Sequence, residues 1–256
     1  MFFGCRVPTG SAPDPFAEVL RDAYAVFKVD PPENLNVCTN CCMEPAEHRA
    51  MLCGDPSRID ELHLISWFNA AYIDEEFSHQ IGCYLAPRIM EFAAGTNDYI
   101  DHEMMFARVP LGDVSQWTDG QNDVIRRYNK VFLDWFRTRT KHDLFLDDVL
   151  CMFSLGLFPA RQSLDHVMGW SDEDLINRLW IDSQHVDGPT LWQSVWWDWG
   201  REVHQPRIAQ ARAEILAWYR GQELRDRIDR YLETAGPDST TWSRAAHVEV
   251  ALAKGV

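Results

Sequence analysis

The feature that most limits how this chain can fold is the recurrence of helix-starting residues ahead of apolar residues spaced three and four apart. Asp14-Pro15 opens one such stretch, with Phe16, Val19, Leu20, Ala23 and Phe27 behind it. Aspartate accepts hydrogen bonds from the free amides of a helix start and proline suits the first helical position, so the spacing predicts a helix over 15–28. Ser57 with Asp60, Thr118 with Gln121 and Ser171 with Asp174 read as capping boxes ahead of further amphipathic runs. The Ser57 pair leads into Leu62, Ile65, Phe68 and Tyr72, and the run after Thr118 carries Val124, Tyr128, Val131, Phe132, Trp135 and Phe136. Further helices are expected from near Pro45, over 74–94 with Gly95 as the stop, and over 144–157, 208–219, 222–232 and 239–254. Pro87 should kink or split the 74–94 helix, because proline removes a backbone donor and clashes with the preceding turn.

No stretch alternates apolar and polar residues as a strand does. The expected architecture is therefore all-α, an irregular bundle of about nine to eleven helices with no substantial β-sheet. No repeat period emerges, which argues against a solenoid. The 256 residues, 46% of them hydrophobic, suffice for a single helical domain over 1–256. The least regular stretch, 183–206, contains Gly188-Pro189 and Gln205-Pro206 and marks a weak boundary at most.

Twenty-four basic residues stand against 39 acidic ones, a net charge of −15. That balance opposes binding to nucleic acid or anionic lipid and favours solubility or a basic protein partner. Arg126, Arg127, Lys130, Arg137, Arg139 and Lys141 form the longest basic-leaning stretch, and its overlap with an amphipathic run reads as a solvated helix face. No window approaches the roughly 18 apolar residues of a membrane span, and the first residues lack a charged leader followed by an apolar run. The expected location is cytoplasmic, where thiols stay reduced.

Seven cysteines are present, three of them in Cys38-Thr39-Asn40-Cys41-Cys42. Pro31-Pro32 ends the first helix, so this segment should be a loop or turn. Cys38 and Cys41 have the Cys-x-x-Cys spacing with which one turn presents two sulfurs to a metal, and a structural zinc is the cofactor this suggests. Two further ligands would be needed. Cys42 and Cys53 are near in sequence, and His79 and Cys83, four apart on a predicted helix, make Cys38, Cys41, His79 and Cys83 one conceivable set. The competing reading is reduced cysteines packed as small hydrophobes. A redox couple lacks the strand-turn-helix setting of thioredoxin-like sites.

Glu76 and His79 form the Glu-x-x-His half of a di-iron motif, but Asp182 to His185 offers aspartate in place of the second glutamate. Asp147-Asp148 reads as helix-surface charge. Nine histidines are scattered, and no hydrolase elbow, P-loop, dinucleotide fingerprint or His-Glu-x-x-His occurs, so no catalytic residue is assigned. Trp192, Val195, Trp196 and Trp199 fall on one face at helical spacing, with Trp197 off the stripe and expected to be more exposed. Trp196 and Trp197 are the candidates for an interaction surface.

The succession Cys38-x-x-Cys41-Cys42-Met43-Glu44-Pro45, then Leu62-His63-Leu64-Ile65, then Tyr84-Leu85-Ala86-Pro87-Arg88-Ile89-Met90-Glu91-Phe92 resembles an uncharacterised family of bacterial all-helical proteins. Its members join a cysteine-bearing loop to a Leu-Pro-Arg-type helix. The likeness extends to the helix after Trp117, to Trp218-Tyr219-Arg220 and to Leu224-Arg225-Asp226-Arg227, with Ala86 where the family pattern reads Leu. The resemblance implies a bacterial, intracellular, all-α protein and supplies no catalytic residue. The leading expectation is a noncatalytic binding or regulatory protein. The alternative is a metal- or thiol-dependent enzyme centred on the Cys38–Cys42 loop.

Overall fold

In a computed structural model of the protein, residues 14–73, 78–95, 102–139, 144–184, 196–199, 201–237 and 239–254 are described. They form eleven α-helices: α1 (Ala17–Val26), α2 (Pro45–Met51), α3 (Glu61–Asn69), α4 (His79–Ala94), α5 (Asp119–Arg137), α6 (Leu146–Leu155), α7 (Ala160–Met168), α8 (Asp172–Asp182), α9 (Gln205–Arg220), α10 (Gln222–Thr234) and α11 (Thr240–Lys254). The one strand-like pairing among the described residues is an isolated antiparallel bridge between Val37 and Tyr72. The fold is all-α, as the capping and spacing pattern requires.

Local chemistry accounts for most helix ends. The Thr118 hydroxyl accepts from the Gln121 amide while the Gln121 side chain accepts from the Thr118 amide, the reciprocal box read from the sequence. Ser171 caps α8 through the Asp174 amide. The Ser57 expectation shifts by one element. Asp55 caps a short 3-10 turn over Pro56–Arg58, and Asp60 itself caps α3 by accepting from the Leu62 amide at 2.9 Å. α3 stops at Asn69, so Tyr72 lies beyond it and is free to pair with Val37.

α4 runs unbroken through Pro87, and nearly every residue from Ile81 to Ala93 is buried. Such a helix is held by packing from several sides, which offsets the backbone bond that proline removes. α6 is buried over its whole length, and Asp147 and Asp148 with it, which corrects the reading of that pair as surface charge. Asp148 accepts from the Phe145 amide at 2.9 Å, so its charge sits at the helix start, where backbone N–H groups favour it. One contiguous apolar cluster draws in residues from Phe16 on the first turn to Leu252 on the last helix. The basic stretch on α5 lies at the surface, where Arg127 pairs with Asp22 at 2.9 Å and with Asp123 at 3.0 Å.

Candidate metal centre at the cysteine loop

The loop before α2 is pinned from several directions. Asn36 takes a left-handed conformation (φ 54°), which asparagine tolerates better than most residues, and its amide donates to the Asn34 side chain at 2.9 Å. The Cys38 amide donates to Ala71 O at 2.8 Å and the Ile73 amide to Asn36 O at 3.2 Å, so the bridge ties the loop to the segment after α3. The Trp67 indole donates to Leu35 O at 3.1 Å, and His48 Nε2 accepts from the Leu35 amide at 3.2 Å. Leu35, Val37 and Met43 are buried beneath the loop. The Met43 amide closes the turn onto Cys38 O at 3.1 Å.

This scaffold gathers three thiols. Cys41 Sγ lies 3.4 Å from Cys38 Sγ and 3.4 Å from Cys42 Sγ, and all three sulfurs fall within 4.8 Å of one another. Cys38 is half-buried and Cys41 and Cys42 are exposed. Backbone N–H groups of Asn40 and Cys41, with the Cys41 thiol, hold the Cys38 thiol down to about 7. Cys41, the donor in that pair, is pushed up to about 11 by Cys38 first and Cys42 second. The loop therefore holds one sulfur near ionisation and two partners within reach of it.

The other proposed ligands go elsewhere. Cys83 Sγ meets His79 Nε2 at 3.3 Å on α4, and Gln121 of α5 donates to the same sulfur at 3.6 Å. His79 in turn leans on the Trp117 ring, 5.4 Å between centroids. α4 turns this pair toward α5, so Cys38, Cys41, His79 and Cys83 do not converge. Cys53 is exposed and donates to Asp55 O at 3.2 Å. Cys42, named only as a neighbour in the sequence, supplies the third sulfur instead.

Of the tryptophan candidates, Trp197 is 2% exposed, because the 3-10 turn over Trp196–Asp198 lies against α6 and α9. That reverses the expectation that it is the more exposed ring. Trp199 is the exposed one, at 57%. The Trp196 side chain, Trp192 and Val195 lie outside the described residues, as do Glu76 and His185 of the di-iron half-motifs and half of the 183–206 stretch.

Two arginines that no sequence pattern singles out border the same segment. The Arg108 guanidinium carbon is 4.2 Å from the centre of the Tyr72 ring and that of Arg201 is 5.3 Å from it. Burial is the main cause lowering the Arg108 pKa; Tyr72 opposes this, the Arg201 charge adds to it, and Cys42 opposes it again. Residues this far apart along the chain leave no local signal of their meeting.

Comparison of the chain with protein-family models, with curated proteins and with solved structures finds no match in any of the three.

Proposed function

We propose that this is a binding protein whose centre is the Cys38, Cys41 and Cys42 loop, a three-thiolate site for a thiophilic cation such as zinc or copper(I). The observation that carries this reading is the convergence of three sulfurs within 4.8 Å on a rigidly tied turn. Thiolates at about 2.3 Å from a tetrahedral zinc lie about 3.8 Å apart, so the sulfurs need only small rotations to reach that geometry. Coordination replaces thiol protons with the metal, and Cys38 is already close to giving its proton up. A cytoplasmic setting suits the site, because its sulfurs must be reduced. The acid surplus keeps a basic protein as the class of macromolecular partner this reading favours.

The test is metal content after gel filtration of reduced protein loaded with zinc or, anaerobically, with copper(I). The native chain should retain about one equivalent and Cys38→Ala less than about a tenth of that. Retention below about a tenth of an equivalent by the native chain removes the proposal.

A further inference from the structure

Arg201 is 6% exposed, yet its Nε and Nη2 are buried without a hydrogen-bond partner among the described residues. Arg108 Nη1 is in the same condition. The remaining Arg108 nitrogens are committed: Nε donates to Phe68 O at 3.0 Å and Nη2 to Ala70 O, which fixes the plane of the group at the end of α3. Both guanidinium groups stand within 5.3 Å of the centre of one ring, that of Tyr72.

A buried N–H left unpaired is costly, and a buried unpaired cation more so. Attraction to the Tyr72 ring offsets part of that cost. It does not replace the hydrogen bonds that the buried nitrogens lack. Two like charges around one ring add repulsion, and no carboxylate among the described residues reaches the unpaired nitrogens. The contrast within the fold is Arg178, fully buried, which donates to Asp182 at 2.9 and 2.5 Å and to Arg139 O at 2.9 Å.

We propose that Arg108 and Arg201, set around Tyr72, form a binding site for an oxyanion, the carboxylate or phosphoryl group of a small ligand. The guanidinium fork matches either group in a two-point contact. The unpaired nitrogens of Arg201 supply that fork, Arg108 Nη1 is a further unpaired donor in a group beside the same ring, and the committed Arg108 nitrogens hold that group in place. The site needs no metal at the cysteine loop, although a ligand held there lies next to the segment that carries it.

The experiment is titration calorimetry of the reduced full-length chain with inorganic phosphate and, separately, with succinate, at ionic strength held constant with chloride. Saturable binding of one of them is expected, and it identifies the group as phosphoryl or carboxylate. Arg201→Gln should weaken that binding at least tenfold, while Arg207→Gln, which alters a nearby arginine already paired with Asp113 at 3.0 Å, should leave it within about twofold. In the absence of ligand Arg201→Gln should melt at or above the native temperature, since it removes an unpaired buried charge; a purely structural arginine would give a lower melting point. If far-UV circular dichroism shows that Arg201→Gln does not fold, Arg201→Lys takes its place, keeping the charge and losing the fork. No saturable binding of either anion, or unchanged binding in the Arg201 variant, overturns the proposal.

Discussion

Cys38 and Cys83 each have a partner within 3.4 Å, a sulfur in one case and a histidine nitrogen in the other, and their acidities move in opposite directions. Cys83 is 1% exposed on a helix whose backbone N–H groups are spent on the helix itself, and burial pushes its thiol above the ordinary value of 9.0. Cys38 stands in a turn whose free amides point at its sulfur and bring it down to about 7. The difference teaches that two separate causes set these sulfurs apart: turn amides foremost lower Cys38, and burial raises Cys83. A helix consumes its donors, whereas a tight turn can aim them at an anion.

The largest expected effect follows directly. In metal-free reduced protein at pH 7, about half of Cys38 is thiolate and about 1% or less of a thiol at or above 9, so iodoacetamide should modify Cys38 at least about 50-fold faster than Cys83. Peptide-resolved mass spectrometry over a time course measures both rates in one sample. Comparable rates at the two sites would break the comparison, and with it the claim that the turn amides are what matter.

How much of this was legible in the sequence depends on how local the cause is. The Thr118 and Gln121 box and the Ser171 cap act across three residues, so residue types at fixed offsets revealed them. The Cys38 and Cys41 pair was visible for the same reason, being three apart. The end of α3 was misread because Tyr72 continues the apolar spacing of that helix while its backbone pairs with Val37, and one isolated bridge has no periodicity to detect. α7, with Leu164 and Val167 buried, was missed because Pro159 and three polar residues after Ala160 disguise its start. The mixed set with His79 and Cys83 failed on orientation. Spacing puts those two on one helix face, but only the packing of α4 against its neighbours determines where that face points. Arg108 and Arg201 meet at Tyr72 across long stretches of chain, beyond the reach of any local pattern.

A second, smaller effect concerns what holds the loop in shape. His48 accepts from the Leu35 amide only while Nε2 keeps its lone pair, and burial lowers its pKa from the ordinary 6.5. The unfolded chain then binds more protons than the folded one as pH falls through 6.5, so the contribution of this bond is present above that value and is lost below it. His48→Phe should cost about 1 kcal/mol in denaturant unfolding at pH 8. The gap between native and variant should narrow at pH 5, where the native histidine is losing its acceptor as well. A gap that does not change with pH would show that the imidazole holds the loop by packing alone.

The finest division of the comparison is between the turn amides and the neighbouring thiol, since both favour ionised Cys38 and only one can be removed by a side-chain change. The Asn40 amide is the largest influence, the Cys41 amide comes second and the Cys41 thiol third. Cys41→Ala deletes the third and leaves both amides in place. The pH midpoint for Cys38 alkylation should therefore move up from about 7 but stay below the ordinary 9.0, with the rate at pH 7 falling roughly threefold. The sign follows from the Cys41 proton, which it shares with the Cys38 thiolate and cannot share with the Cys38 thiol in the same sense. Without that donor the charged form of Cys38 loses a hydrogen bond that the neutral form does not lose to the same extent. A midpoint at the ordinary value in Cys41→Ala would transfer the effect from backbone to side chain, and the contrast with Cys83 would then rest on a neighbouring thiol instead of on the turn.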